Sequence, residues 1–219
     1  MITIPDPDVV FTDLGLAALG TYFAWRLGRL GDGWLRRGAI VMLGLASAAL
    51  WGALFHAVFP AKTATAAGFV VWLLVAFSIA VVAGSLLDMA LTIFFGRFAP
   101  DVRPGVRRAI VLGYCLLFAC IILFVDESFT TVTRLYAPTV LLMFVAAQYQ
   151  ASRPGNASWM LISGGLALSM LAALLQQARI AIHPVYFDHN ALYHVVQAAA
   201  LVLLYFGFRA RRTDSAARA

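Results

Sequence analysis

The chain has four histidines, and three of them stand where chemistry inside a bilayer is possible. His56 lies three residues before the end of one apolar run. His189 and His194 open another, and His183 precedes them beside Pro184. Asp13 lies four residues into the first apolar run. Gln176 and Gln177 close the sixth run, while Asp188, Asn190 and Gln197 accompany the histidines of the seventh. An ionisable residue inside a membrane is costly, so its presence points to function. Imidazole with carboxylate is a zinc ligand set, and an open coordination position makes a bound water nucleophilic. Two imidazoles from opposed helices instead suit a haem. The plainer alternative is that these polar groups hydrogen-bond helices together.

Spacing separates the candidates. His189 and His194 are five apart, so on a helix they differ by roughly 140° and do not share a face. Asn190, His194 and Gln197 follow the i, i+4, i+7 pattern and do share one. Asp188 or Asn190 is positioned to cap the seventh helix. His189 then either bends inward from that end or faces solvent, and His183 is a solvated loop residue. For Asp13 three roles stand open: metal ligand, hydrogen-bond partner to His56, or a favourable charge at a helix N-terminus.

The elements that must position these groups are apolar throughout. The 219 residues are 63% hydrophobic, with a mean hydropathy of +0.88. A hydrocarbon core of about 30 Å takes roughly 20 apolar residues in a helix. Seven runs qualify: Val9–Gly28, Ala39–Phe59, Ala66–Phe95, Ala109–Val125, Val132–Gln148, Ser158–Gln177 and Asn190–Phe208. Backbone groups in lipid must satisfy one another, so each run is an α-helix. The runs do not alternate, which excludes a β-barrel. The fold class is therefore all-α, a single polytopic seven-transmembrane-helix domain over residues 1–219. The third run is overlong and either tilts or leaves the membrane at one end. Asp6 and Asp8 open the chain where a cleavable signal would be basic.

Arginine distribution sets the orientation. Thirteen of the sixteen basic residues, among them Arg36, Arg37, Arg97, Arg107, Arg108, Arg153, Arg212 and Arg218, fall in alternate connections and the tail. The other side has three, Lys62, Arg134 and Arg179. Basic residues favour short cytoplasmic loops, so the N-terminus is outside and the C-terminus cytoplasmic. A bacterial inner membrane is the expected location. The +6 charge is a topology signal. It points to membrane lipids as partners and, being scattered, excludes nucleic acid. With that orientation Asp13, His56, Gln176, Asn190, His194 and Gln197 come to one depth near the outer face, from four helices.

Other features carry less chemistry. Asp88, about 22 residues into the third run, belongs near the inner face as a snorkelling or paired charge, with Ser85 one turn away. Cys115 and Cys120 are five apart on one helix, do not pair, and act as small buried apolar groups. Glycines such as Gly20, Gly44, Gly52 and Gly165 serve close helix packing. Trp25, Trp34, Trp51, Trp72 and Trp159 are interfacial anchors. Lys62, the sole lysine, sits in an outer loop, so no residue inside the bundle forms a retinal Schiff base. No P-loop, GxSxG, HExxH or CxxC motif occurs.

The stretch Leu175–Gly207, with its HNxLYHxxQ core over His189–Gln197, resembles the C-terminal signature of an uncharacterised bacterial seven-helix membrane protein family. The Thr12–Asp13 and Phe55–His56 pairs resemble that family as well. A more distant resemblance is to the layout of alkaline ceramidases and the progestin and adiponectin receptors. In that superfamily a histidine ends helix two and an HxxxH pair opens helix seven. His56 matches the first and His194 the second of the pair; Asn190 stands at the pair's first position, with His189 as substitute. Gly52 stands where that superfamily has a serine. This resemblance implies a zinc-dependent hydrolase of a lipid-like amide or ester.

The leading expectation is such a hydrolase. His56, His189 and His194 bind zinc, Asp13 is ligand or general base, and Asn190 with Gln197 orients the histidines. The alternatives are a non-catalytic transporter, sensor or proton-handling bundle, and a b-type haem electron carrier. A lipid-like or small-molecule ligand suits the first two.

Overall fold

A computed structural model describes residues 6–59, 62–183 and 186–216. Pro184, Arg218 and the side chains of Lys62 and Arg212 lie outside the described residues. Seven α-helices occur among them: α1 (Pro7–Gly28), α2 (Gly33–Val58), α3 (Ala66–Phe98), α4 (Pro104–Phe124), α5 (Phe129–Ala151), α6 (Ala157–Gln177) and α7 (His189–Ala216). The described residues form no strand, only an isolated antiparallel bridge between His183 and Phe187. Helices α2 to α7 are long and apolar enough to cross a membrane, so the chain is a multi-pass membrane protein. Helix α1 is long enough at 22 residues, but Asp8, Asp13 and Arg26 dilute its apolar character.

Several helices overrun the apolar runs at the arginine-rich end. Helix α2 begins at Gly33 and takes in Arg36 and Arg37. Helix α4 begins at Pro104 and takes in Arg107 and Arg108. Hydropathy marks only the apolar slab, while arginine stems continue along the helix into the interface. Polar side chains start the helices. Asp32 accepts from Trp34 N at 2.6 Å, Thr65 from Gly68 N at 3.1 Å and Ser128 from Thr131 N at 3.2 Å. Each satisfies a backbone donor that has no partner within its own helix.

Helices α1, α2, α3, α5, α6 and α7 contact one another in that order, and α7 closes the ring on α1. Helix α4 stands outside, mainly against α3. Only Phe118 and Ile122 of α4 are fully buried, while Leu112, Leu116 and Phe124 face outward. Small residues let the ring helices approach closely. A Cβ at Gly20 would sit 3.0 Å from the Ala46 Cβ of α2, and one at Gly207 only 2.8 Å from the Ile162 backbone nitrogen of α6. The larger buried cluster, around Leu27, Met42, Met89, Met143 and Phe208, fills the arginine-rich half. A smaller one, around Phe55, Trp72, Phe118 and Val132, lies toward the other end.

Asp88 is a paired charge, and its partners come from two other helices. Its carboxylate meets Arg37 Nε of α2 at 2.9 Å and Arg107 Nε of α4 at 3.0 Å. Thr92 completes the cluster: its hydroxyl accepts from Arg107 and donates to the Asp88 carbonyl at 2.6 Å. Ser85 takes no part, because its hydroxyl is spent on the Val81 carbonyl.

Two expectations need correction. Trp72 and Trp159 are buried in the protein, and Trp34 packs edge-on against Trp159 at 5.2 Å. These indoles pack helices; Trp25 is the exposed one. Both cysteines are free, but Cys120 is exposed on the outer face of α4, and only Cys115 is tucked against Gly84.

Candidate functional site

A cavity of about 490 Å³ lies inside the helix ring at the end that carries the N-terminus. Its floor is apolar, with Leu16, Leu45, Ala48 and Ile79. Its wall carries Asp13 from α1, His56 from α2, Gln176 from α6, and Asn190, Tyr193, His194 and Gln197 from α7. The volume and the mix of apolar surface with a few polar groups suit a small ligand. The shared face predicted for Asn190, His194 and Gln197 is the one α7 turns to this cavity.

The centre of the wall is a buried hydrogen-bond chain. Asp13 is 3% exposed and His194 8%. His194 Nε2 lies 3.1 Å from Asp13 Oδ1, and Nδ1 lies 3.0 Å from the Thr12 hydroxyl. Thr12 sits mid-helix, where its hydroxyl donates back to the Asp8 and Val9 carbonyls at 2.8 and 3.0 Å. One hydrogen serves the contact between Thr12 and Nδ1, and which of the two donates it depends on the tautomer of His194. Asp13 Oδ2 takes no hydrogen bond from any described residue. It packs where a Cβ at Gly52 would stand, 2.9 Å away. Only glycine at position 52 lets the α1 carboxylate lie against α2.

Other contacts brace this chain. Asp188 caps α7, its Oδ1 accepting from Asn190 N at 2.7 Å and Ala191 N at 2.9 Å. Its own backbone N–H donates to Asp8 at 2.9 Å, which ties the starts of α1 and α7 together. Asn190 Oδ1 accepts from Gln176 at 2.9 Å. Gln197, 3% exposed, donates to Ser169 of α6 at 3.1 Å. His56 Nδ1 lies 3.2 Å from Asp6.

Asp13, His56, Asn190, His194 and Gln197 thus share one cavity. His189 does not border it; its Nδ1 lies 3.7 Å from Asp188 at the helix start. His183 is exposed and packs on Tyr186, with ring centroids 4.8 Å apart. Asp13 pairs with His194 and not with His56, because α1 is wedged between α2 and α7 and turns this side chain toward α7.

The donor arrangement does not fit a zinc centre. His194 has both ring nitrogens engaged, and His56 and His189 each turn to a separate aspartate. Among the described residues no three His, Cys, Asp or Glu side chains converge on a point. A haem meets the same obstacle at His194.

Several site residues were given no role by the sequence. Thr12 carried only the family resemblance of its pair with Asp13, and its contact with His194 needs α7 beside it. The loop after α4 contributes Asp126, Glu127 and Ser128 to the mouth of the cavity. Trp72 holds that loop, donating its indole N–H to the Glu127 carbonyl at 2.6 Å. Hydrogen bonds from Thr131 and Ser128 hold the Asp126 carboxyl below the usual carboxylate range, helped by Arg134. A signal was present: three adjacent polar residues between two apolar runs, facing the same side as Asp13.

No curated protein and no solved structure matches the chain. A family model matches residues 9–213, and the chain belongs to that family, DUF6962, a family of unknown function.

Proposed function

We propose that this protein is a ligand-binding, proton-handling membrane bundle, a sensor or transporter. It would hold a small amphipathic molecule in the cavity, with the Asp13–His194 pair giving or taking a proton at the wall. One observation carries the reading: a carboxyl and an imidazole, both buried, lie 3.1 Å apart beside a cavity of ligand size. Such a pair changes protonation in response to what enters next to it, because burial makes each charge depend on its neighbours. Arginine distribution supports an N-out orientation in a bacterial inner membrane, which puts the cavity within the outer leaflet.

Nitrogen-15 NMR of histidine-labelled protein in nanodiscs tests the pair. The Nε2 signal of His194 should move in Asp13→Asn. An Nε2 signal indifferent to Asp13→Asn overturns the reading.

The zinc hydrolase is the second reading, favoured by His56 and His194 bordering one cavity. It requires His194 to leave one of its present partners and His189 to turn into the cavity, while His56 and His189 could keep their aspartates on Nδ1 and bind through Nε2. Stoichiometric zinc in purified protein, lost in His56→Ala, would restore it; sub-stoichiometric metal in both would remove it.

A further inference from the structure

The cavity is lopsided in charge. Of the ten acidic residues in the chain, six lie at its end of the bundle: Asp6, Asp8, Asp13, Asp126, Glu127 and Asp188. Asp13, Asp126 and Glu127 border the cavity, and no arginine or lysine whose side chain is described does. Arg134 acts on Asp126 from outside it. The Glu127 carboxylate has no ion pair among the described residues. Deeper in, the Asp13 carboxylate is almost wholly buried, and its Oδ2 has no hydrogen-bond donor among the described residues.

The wall beside these acids is aromatic. Phe55, Trp72 and Phe129 stand in a row, with centroids 5.7 Å apart for the first pair and 6.3 Å for the second. The bond from Trp72 to the Glu127 carbonyl fixes both the indole and the acidic loop next to it. Aromatic faces attract cations, most strongly where water is excluded, and they suit quaternary ammonium groups that make no hydrogen bonds. Beyond the rings the floor is mostly aliphatic, with Leu16, Leu45, Ala48, Val75 and Ile79.

Resting on the reading of this cavity as a ligand site, we infer that its ligand is an amphipathic cation. An ammonium or quaternary ammonium group lies against Trp72 and Phe129, facing Asp126 and Glu127. The apolar body reaches down past Asp13 into the ring. The same chemistry belongs to a free amphiphilic amine and to a lipid with an ammonium headgroup.

The test is calorimetric titration of the full protein in phosphatidylglycerol nanodiscs with three matched probes. These are benzyltrimethylammonium, uncharged N-benzylacetamide and the anion phenylmethanesulfonate. The cation should bind about tenfold tighter than the uncharged probe, the scale of a desolvated cation–π contact. The anion should show no saturable binding. Asp126→Asn with Glu127→Gln, the two acids that face the ammonium, should abolish the preference, and Asp101→Asn, at the opposite end, should leave it intact. Equal binding of cation and uncharged probe, or a preference that survives the double substitution, overturns the inference and leaves the ligand site standing. No saturable binding of any probe overturns both. Diluting the nanodisc lipid with phosphatidylethanolamine or with an uncharged galactolipid identifies the source. Weaker cation binding only with phosphatidylethanolamine means a competing lipid headgroup; equal binding means a free amphiphile.

Discussion

Gly52→Ala is the substitution that most sharply probes the buried pair, because it adds one methyl group and removes no polar atom. The new Cβ would stand 2.9 Å from Asp13 Oδ2 and 3.5 Å from its Oδ1. Ordinary van der Waals contact begins at 3.4 Å, so the carboxylate must retreat by about 0.5 Å. A retreat of that size carrying Oδ1 away from Nε2 takes the bond from 3.1 Å to about 3.6 Å, beyond hydrogen-bond range. Overpacking of this kind costs about 1–3 kcal/mol, and a buried acceptor left unpaired adds a comparable amount. The assay is reversible unfolding in mixed micelles, read by tryptophan fluorescence. Gly52→Ala should destabilise by about 2–6 kcal/mol, combining those two costs. Asp13→Ala in the same chain removes the clashing atoms, so the double variant should be less destabilised than the two single effects together. Strict additivity would refute the argument, because it would mean that Gly52 and Asp13 do not touch.

Asp88→Ala leaves Arg37 and Arg107 facing each other without their shared counter-charge, and should cost about 1–3 kcal/mol. Arg107→Ala keeps the Arg37–Asp88 pair and should cost less; the reverse order in the same unfolding assay would show that Asp88 is not the hub. Asp126 has a folded-state pKa below its unfolded value. Its contribution to the loop is therefore complete above the ordinary aspartate value of about 3.9 and is lost as pH falls through the folded-state value. Hydrogen exchange at Ser128 and Thr131 should accelerate over that acid window in wild type and show no such step in Asp126→Asn.

Helix number, the apolar runs and the depth of the polar groups were legible because hydropathy and the 3.6-residue period carry them. Asn190, His194 and Gln197 came to one cavity face on that period alone. What one sequence does not carry is which helix stands beside which. Asp13 is equally close in depth to His56 and His194, and only the packing of α1 between α2 and α7 decides for His194. Helix α4 reads like its neighbours, apolar on every side, so its place outside the ring left no trace in its pattern. Asp88 read only as a snorkelling or paired charge with no partner named, while its partners Arg37 and Arg107 come from two other helices. Trp72 belonged to an expected interfacial belt, and only the chain reversal after α4 gave its indole an acceptor indoors.

Helix α1, which falls short of the apolar content of the six candidate spans, is made before α7, whose His194 side chain relieves its polarity. Thr12 and His194 stand 182 residues apart. At about 5–20 residues per second, translation alone separates their arrival by roughly 10–40 s. Until then Asp13 has no imidazole beside it, so α1 is poorly suited to enter lipid alone. Its insertion is therefore expected to follow, or to be shielded until, the closing of the ring by α7. Truncating the gene before α7 should therefore leave the amino terminus reachable by membrane-impermeant reagents from the side of synthesis.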